Sequence, residues 1–339
     1  MPMWRRWPQN SRAAGTFMHR VVSSGAARAG DLARHRGGGK VSMNGVINVL
    51  KPPAMSSNGV TVFLKKVLNE KRIGHAGTLD PGAAGVLVVL LGRAARLSDY
   101  LMGHDKVYVA ELHFGCCTDT LDSYGACTAR KQTDRTRLAA RLEAACKAFL
   151  GEQMQTPPAY SAVKVDGKKS YELARRGIDL PKPPRRVCIS DIEVLAQTGP
   201  EQFLLRIHCS KGTYVRTLLE DIAASMGELA YTSFLMRERS GDFEVQQAWT
   251  LDEIAARAAQ GDISFCIPPE EVVRALPRVH LGAEQRFAIE HGQRLRAADP
   301  LPTGQFALYC GGTFYGVGEA DQGVPSCASR CIREGVCRS

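Results

Sequence analysis

The segment KRIGHAGTLDPGAAGVLVVLLG, residues 71–92, places a single carboxylate, Asp80, in a turn built from glycine and alanine. Asp80 precedes Pro81, which biases its backbone toward an extended conformation. The glycines around it leave room for a large flat ligand to approach the carboxylate. Asp-Pro pairs are also common in ordinary turns. A catalytic role for Asp80, as a nucleophile or as a proton acceptor, therefore needs partner residues.

Three side chains elsewhere in the chain could be those partners. Arg216, in KGTYVRT, lies where a strand is predicted to meet a helix, and a guanidinium there can hold a carboxylate ionised by bidentate pairing. Tyr214 shares a face with Arg216 if the segment is extended. Tyr108, in DKVYVAEL, occupies a strand position. Each tyrosine alone would be interpreted as a core residue, but together these groups predict a pocket for a base extruded from RNA.

Motifs for several other chemistries are missing from the sequence. It contains no G-x-x-x-x-G-K-[ST] loop, no G-x-G-x-x-G after a strand and no H-E-x-x-H. The eleven cysteines include Cys327, Cys331 and Cys337, whose spacing matches no standard zinc or disulfide pattern. We therefore expect reduced thiols and no metal site.

Charge and hydropathy limit the partners only weakly. The net charge is +10, but residues 1–43 hold eight Lys and Arg against one acid, so the rest of the chain is only mildly basic. The longest apolar run, Val86 to Leu91, is far shorter than the roughly 20 residues that cross a bilayer. We expect no membrane association.

Residues 1–42 are rich in Arg, Ala, Ser and Gly and lack a hydrophobic period, which predicts a disordered basic leader. One interpretation is a transit peptide, which would direct the protein to mitochondria or plastids. The other is that the natural chain starts at Met43, where strand-like alternation begins, and that RGGGK is a purine-rich ribosome-binding sequence read through as protein. We favour the second interpretation and expect a cytoplasmic protein.

Hydrophobic periodicity from residue 44 onward alternates between strand and helix character. It predicts a strand at 46–50, a helix with Val60, Phe63, Leu64 and Val67 inward, a buried strand in GVLVVLLG, a helix in RAARLSDYLMG and a helix at about 251–259. Antiparallel pairs among the strands predict an α+β fold. We divide the chain into a main domain at 43–272, a small β-rich module at 273–325 and a flexible tail at 326–339.

A polar, proline-punctuated region interrupts the main domain between about residues 153 and 186. Its basic residues alternate with tyrosines, and the loop is long. A solvated hairpin is the simpler interpretation, but the alternation favours an insertion that faces RNA. The candidate RNA contacts in this region are Tyr160, Lys164, Lys168, Lys169, Arg175 and Arg176.

Six blocks, in order, resemble the TruB family of tRNA pseudouridine synthases: GVINVLKPPAMSSN, RIGHAGTLDPGAAGVLVVLLGRAARL, DKVYVAELHFGCCTDTLDSYG, PPAYSAVKVDGKKSYELARRG, IHCSKGTYVRTLLEDIA and LMRERSGDF. They cover about residues 44–245, and the C-terminal unit resembles the PUA-like RNA-binding module that often follows. The resemblance implies a pseudouridine synthase domain with a central, mainly antiparallel sheet, acting as a monomer on the T-arm stem-loop of tRNA.

The resemblance also implies a reaction and a set of roles. The reaction is isomerisation of the T-loop uridine, position 55 in tRNA numbering, to pseudouridine, and it needs no cofactor. Asp80 matches the catalytic aspartate. The other matches are His75, which fills the space left by the flipped base; Tyr108, which stacks on the target ring; Tyr214 and Arg216, which pack against the base and hold the aspartate; Leu235, an apolar wall; and Lys51, in a Lys-Pro element, which we add to the candidate RNA contacts.

The chain departs from the family at one motif, since members commonly have LDPLATG where this sequence has LDPGAAG. Gly82 and Ala84 replace Leu and Thr, which removes a side chain behind the catalytic turn and predicts a looser turn. Because Asp80, the flanking glycines and His75 remain, we expect activity to survive.

Two other functions compete with this one. A non-catalytic RNA-binding or tRNA-folding protein could use the same fold, although binding alone would not require a costly buried Asp80–Arg216 pair. A guide-dependent H/ACA-type relative could share the Asp80 region, but the long insertion and short C-terminal module favour the stand-alone type. The sequence leaves open whether the carboxylate attacks C1′ or assists 2′-proton abstraction to a glycal.

Overall fold

The computed structural model describes residues 43–161, 164–165, 168–170, 180, 182–290 and 301–320. The predicted leader and tail lie outside the described residues, as do Arg175 and Arg176. The backbone of Lys164, Lys168 and Lys169 is described but their side chains are not. The leader's origin, the protein's location and the RNA contacts of these five basic residues stay predictions.

Strands and short helices alternate along the described residues. The strands are β1 Gly45–Lys51, β2 Ile73–His75, β3 Ala84–Leu91, β4 Lys106–Phe114, β5 Cys116–Thr118, β6 Cys127–Arg130, β7 Gly151–Gln155, β8 Lys164–Val165, β9 Lys168–Lys169, β10 Arg185–Gly199, β11 Gln202–Cys209, β12 Ala230–Ser240, β13 Phe243–Glu244, β14 Arg278–Leu281, β15 Gly304–Cys310 and β16 Thr313–Ala320. The α-helices are α1 Ser57–Val67, α2 Ser98–Met102, α3 Leu138–Ala148, α4 Val215–Ser225, α5 Leu251–Ala259, α6 Pro269–Val272 and α7 Arg286–Glu290.

The main sheet has the strand order β1-β3-β12-β4-β11-β10-β7, with β2 beside β3 and β13 beside β12. Within it, β3 and β12 run parallel, with Met236 opposite Ala84 and Arg237 opposite Gly85. The other pairs of this sheet are antiparallel. The expectation of an α+β fold with a mainly antiparallel central sheet is confirmed. All eight residues of β3 are buried, which explains its unbroken apolar sequence.

Helix α3 packs against α4 and β10 with Leu138, Leu142 and Cys146 buried on one face. Helix α5 starts after Thr250, whose side chain accepts from the Glu253 amide in a capping box, and its bounds match the prediction.

The helix predicted for RAARLSDYLMG is only partly correct, because residues Gly92–Leu97 form a 3-10 helix before α2 begins. Ala94 and Leu97, three residues apart, are both buried, a spacing that suits 3-10 geometry.

The insertion is shorter than predicted. Gln155 still pairs with Arg185 across β7 and β10, so the chain leaves the sheet only between residues 156 and 184. Sequence reasoning also missed the hairpin of β5 and β6, which follows the end of β4 and whose tip pairs with β12 through Asp122 and Thr232. Its strands are three and four residues long, too short for a periodic signal.

The C-terminal module contains a three-stranded sheet, β14-β15-β16, with β14 parallel to β15. Its own core includes Leu281, Phe306, Leu308 and Tyr315. Ala307 and Phe314 instead join the core cluster of the main sheet. The prediction of a β-rich module is confirmed, and this module is packed onto the main domain. Among the described residues, no helix has the length and apolar character needed to span a bilayer.

Candidate active site

The turn that carries Asp80 connects β2 to β3 and is held from below by Lys51. The Lys51 ammonium Nζ donates hydrogen bonds to the carbonyl oxygens of Pro52 at 2.9 Å, Pro81 at 3.2 Å and Ala83 at 2.6 Å. Lys51 is fully buried. The prediction that Lys51 contacts RNA is therefore wrong: its side chain points inward and fixes the backbone on the C-terminal side of Asp80.

Burial lowers the pKa of Lys51, the negative charge of Asp80 opposes this, and the positive charge of Arg237 adds to it, so that the resulting pKa is about 7. The three carbonyl oxygens accept hydrogen bonds from the ammonium, so they replace much of its lost hydration. Lys51 thus places a titratable positive charge close to the Asp80 carboxylate.

Arg216 forms an ion pair with Asp80, with 2.9 Å between Arg216 Nε and Asp80 Oδ2. The guanidinium is 4% exposed and lies in the first turn of α4. Tyr214 is the extended residue before this helix, and the Gln155 side chain holds it by bonding both its amide and its carbonyl. Tyr214 and Arg216 therefore do not alternate along a strand, because the helix begins between them.

The same guanidinium connects two further segments to Asp80. Arg216 Nη1 lies 3.7 Å from Asp122 Oδ2 and donates to the Thr120 carbonyl, both on the tip of the β5–β6 hairpin. Arg216 Nη2 donates to the Tyr160 carbonyl at 2.9 Å, at the start of the insertion. Sequence reasoning missed Asp122. The sequence feature that could have identified it is the second acidic residue of TDTLDSYG, a segment that belongs to one of the six blocks resembling the family.

Desolvation raises the pKa of the Asp80 carboxyl above the usual value near 4 for aspartate, and Asp122 adds to the rise. The charges of Arg216 and Lys51 lower it in part. The side chain is 37% exposed, so one edge of the carboxylate remains open to the solvent and to a ligand. Asp80 thus combines a fixed orientation with an accessible oxygen.

Arg237 is a second guanidinium that sequence reasoning missed. It is 1% exposed, and it donates from Nε to the Val86 carbonyl at 2.8 Å and from Nη2 to the Gly77 carbonyl at 3.1 Å. These carbonyls lie on either side of Asp80 in the chain. Arg237 and Lys51 together hold both ends of the catalytic turn.

Two of the residues predicted to contact the base lie on the neighbouring strands. Tyr108, on β4, is opposite Arg237 on β12, and Leu235 precedes Arg237 by two residues on the same strand. Burial raises the pKa of Tyr108, and the Asp80 charge adds to that rise. Burial also raises the pKa of Tyr214, with a smaller contribution from Asp80, while Arg185, whose guanidinium lies 5.6 Å from the Tyr214 ring centre, opposes it. The Asp80 charge thus reaches both tyrosines.

His75 ends β2, five residues before Asp80. Burial and then the Arg237 charge lower its pKa, so the ring is neutral at pH 7. Its Nδ1 is buried without a hydrogen-bond partner among the described residues. The family resemblance implies that His75 fills the space left by the flipped base, and a neutral ring suits that role better than a charged ring would.

A cleft of about 310 Å³ opens above Asp80, and we call it the Asp80 cleft. Its size is within the usual range for small-molecule sites. The residues that line it are Asp80, Gly82, Ala83, His113, Asp122, Ser123, Tyr124, Arg216, Tyr231, Thr232, Ser233, Phe234 and Leu235. The lining combines charged side chains with aromatic and apolar ones, a set that can hold a flat heterocycle beside a fixed carboxylate.

The fold and the oriented carboxylate in an open cleft define a pseudouridine synthase. Solved structures agree: a Cbf5-Nop10-Gar1 complex matches with a TM-score of 0.61 and 28% identity, over 82% of this chain and 78% of that chain. The archaeal box H/ACA sRNP Nop10-Cbf5 complex matches with a TM-score of 0.61 and 25% identity, over 84% and 81%.

Sequence comparison narrows the class to one family. Residues 65–215 match the N-terminal domain of the TruB family pseudouridylate synthases, and residues 277–325 match the C-terminal domain of pseudouridine synthase II TruB. The tRNA pseudouridine synthase B of Caldanaerobacter subterraneus subsp. tengcongensis is 40% identical over 83% of this chain and 96% of that protein. That of Azoarcus sp. is 41% identical over 83% and 92%. The chain belongs to the TruB family of pseudouridine synthases.

Proposed function

We propose that this enzyme isomerises the T-loop uridine of tRNA, position 55, to pseudouridine. The observation that carries the proposal is the Asp80–Arg216 pair, held at the floor of an open cleft in a pseudouridine synthase fold. The names of the TruB relatives support tRNA as the substrate.

The reaction exchanges one glycosidic bond for another. The bond between uracil N1 and ribose C1′ breaks, the uracil turns within the site, and C5 bonds to C1′ while the C5 proton moves to solvent and N1 gains a proton. The Asp80 carboxylate acts either by attack at C1′ or by assisting removal of the 2′ proton. Both routes need an ionised carboxylate with a free oxygen, which the contact with Arg216 Nε leaves available.

Apolar side chains at the cleft keep the detached uracil from leaving. Leu235 lines the cleft together with Asp80, and Tyr108 lies on the adjacent strand. A base held against these side chains can turn but does not exchange with water. This retention makes the enzyme an isomerase and not a glycosidase.

The RNA enters as an extruded base, with the T-arm stem-loop outside the cleft. The insertion between β7 and β10 starts at the cleft, where the Tyr160 carbonyl bonds to Arg216. The basic residues predicted as RNA contacts follow in the same segment. We therefore propose that this segment contacts the T-arm. We propose that a monomer suffices, since all the groups assigned to the reaction come from a single chain.

The experiment is pseudouridine mapping of a T-arm stem-loop RNA incubated with the purified full chain and no other protein. The proposal predicts conversion of the T-loop uridine alone, and no conversion in a stem-loop with cytidine at that position. Conversion that requires an added guide RNA would support the H/ACA-type alternative. Tight binding without any conversion would support an RNA-folding role.

A further inference from the structure

One aromatic ring at the Asp80 cleft has no part in the proposed function. Tyr124 lines the cleft together with Asp80, yet it is 55% exposed. Tyrosine rings normally bury most of their apolar surface. An exposed ring at the entrance of an RNA cleft is the kind of surface on which unstacked bases stack.

The ring is exposed but its backbone is firmly placed. Tyr124 lies at the tip of the β5–β6 hairpin, and its amide donates to Asp122 Oδ1 at 3.0 Å. Thr120 also donates to this oxygen, at 2.6 Å. The tip is joined to β12 by the hydrogen bond from Thr232 N to Leu121 O at 3.0 Å, and to the catalytic Arg216 through Thr120 and Asp122. The position of Tyr124 is therefore tied to that of Asp80.

The turn that carries Asp80 leaves space for this ring. A Cβ atom added at Gly82 would lie 2.2 Å from Tyr124 Cε2 and 2.7 Å from Cδ2, too close for any real contact. The backbone at Gly82 does not adopt the left-handed conformation that would itself require glycine. The Tyr124 ring therefore explains why glycine fits at position 82. The ring also covers the Asp80 turn, which we expected to be looser because Gly82 replaces the leucine common in the family.

We propose that Tyr124 is a substrate-positioning residue that stacks on a nucleobase of the RNA at the entrance of the Asp80 cleft, and that Gly82 admits the ring there. The inference deepens the proposed function and rests on it for the identity of the RNA. Tyr124 and Gly82 lie in two loops that meet only in the folded protein, because they are 42 residues apart in sequence.

Steady-state kinetics and RNA binding of Tyr124→Ala test the proposal. Loss of one base–aromatic stack should raise KM and the Kd for the T-arm stem-loop by about tenfold. The kcat at saturating RNA should stay within about twofold, because Asp80 and Arg216 are untouched. Tyr124→Phe keeps the ring and should match the wild type in both constants.

Gly82→Ala tests separately whether the Tyr124 ring needs the space that Gly82 leaves. The added methyl must displace the ring, so this variant should raise KM about as much as Tyr124→Ala does. The double variant Gly82→Ala/Tyr124→Ala should be no worse than Tyr124→Ala alone, since the methyl then meets no ring. Ile263→Ala is the control, because Ile263 is an exposed residue beyond the end of α5 that does not line the Asp80 cleft, and it should leave KM unchanged.

Several results would overturn the proposal. An unchanged KM and Kd in Tyr124→Ala would show that the ring does not contact RNA. A fall in kcat with unchanged KM in Tyr124→Ala would show that the ring only supports the Asp80 turn. Additive increases of KM in the double variant would show that Gly82 and Tyr124 act independently. If Tyr124→Ala fails to fold, Tyr124→Leu keeps the bulk without the ring and should show the same rise in Kd. Since Kd is measured without turnover, the result stands even if the wild type converts a different uridine.

Discussion

At the scale of single residues, the site is built from three buried basic side chains and one carboxylate. Arg216 orients Asp80, while Lys51 and Arg237 hold the two sides of its turn. The net effect of burial and charge is a raised pKa for Asp80. The carboxylate is held in place by fixed partners and needs little rearrangement to meet the sugar, which is the condition for electrostatic preorganisation.

Replacing Arg216 should slow the reaction without abolishing RNA binding. Arg216→Gln removes the charge that orients Asp80, and loss of one preorganised group typically lowers kcat by about 100-fold or more. Single-turnover kinetics at saturating RNA measure this. The matched control is Arg206→Gln, which breaks an arginine–carboxylate contact of 3.0 Å to Glu238 on the same sheet. An equal loss in both variants would contradict the role given to Arg216.

The raised pKa of Asp80 predicts the acid side of the pH profile. A carboxyl with a raised pKa takes up its proton at a higher pH than an ordinary aspartate, so activity should be full above that pKa and fall as the pH drops through it. The single-turnover rate against pH should therefore fall with an apparent pKa above about 4. Arg216→Gln should move this fall to still higher pH. A profile flat down to pH 4 would contradict the assignment.

At the scale of elements, the turn between β2 and β3 depends on contacts from distant strands. The sequence predicted a functional turn here, and Asp80 within it, because a glycine-rich Asp-Pro turn can be recognised from neighbouring residues alone. Lys51 and Arg237 were misplaced or missed, because their role depends on which carbonyl oxygens the folded sheet brings near them. Asp122 and Tyr124 were missed for a different reason, since a short hairpin leaves no periodic signal that would place its tip beside Asp80.

Lys51→Met should destabilise the protein. It leaves the carbonyls of Pro52, Pro81 and Ala83 without their donor, and unsatisfied buried groups typically cost about 1–3 kcal/mol of unfolding free energy each. Urea unfolding followed by circular dichroism measures the change. Lys65→Met, at an exposed position on α1, is the control and should change the unfolding free energy by less than about 0.5 kcal/mol. An unfolding free energy of Lys51→Met equal to that of the wild type would contradict the role given to Lys51 in holding the Asp80 turn.

Gly85→Ala should weaken the parallel contact of β3 with β12. Gly85 has φ +104°, and a Cβ there would lie 2.2 Å from the Arg237 carbonyl oxygen. Strain together with overpacking should cost about 3 kcal/mol. The unfolding midpoint in urea provides the measurement, with Gly74→Ala as the control. A midpoint unchanged from the wild type would mean that the two backbones do not approach as closely as described.

At the scale of the whole molecule, the described residues form one sheet-based domain with a small β module packed against it. Strand order and the docking of the module could not be predicted, because both depend on contacts between residues far apart in sequence. The fold class and the family could be predicted, since six ordered blocks are visible in the chain itself. Most of what the sequence did not predict lay in tertiary contacts, while the 3-10 helix at Gly92–Leu97 and the β5–β6 hairpin were misses of local structure.

The shared core predicts that the two units unfold together. Phe314 of the C-terminal module packs in the same cluster as Val46 and Phe234 of the main sheet. Phe314→Ala should lower stability by about 3–5 kcal/mol, and calorimetry should still show a single transition. Two separate transitions in the wild type would show that the module is not part of this core.

The most direct test of the central claim is Asp80→Asn in the full chain, compared with the wild type on the T-arm stem-loop. The variant keeps the size and shape of the side chain but removes its charge. We predict that it binds the RNA with a Kd within about threefold of the wild type and forms no pseudouridine in single-turnover mapping. Pseudouridine formation by Asp80→Asn at the wild-type rate would contradict the assignment of Asp80 as the catalytic group.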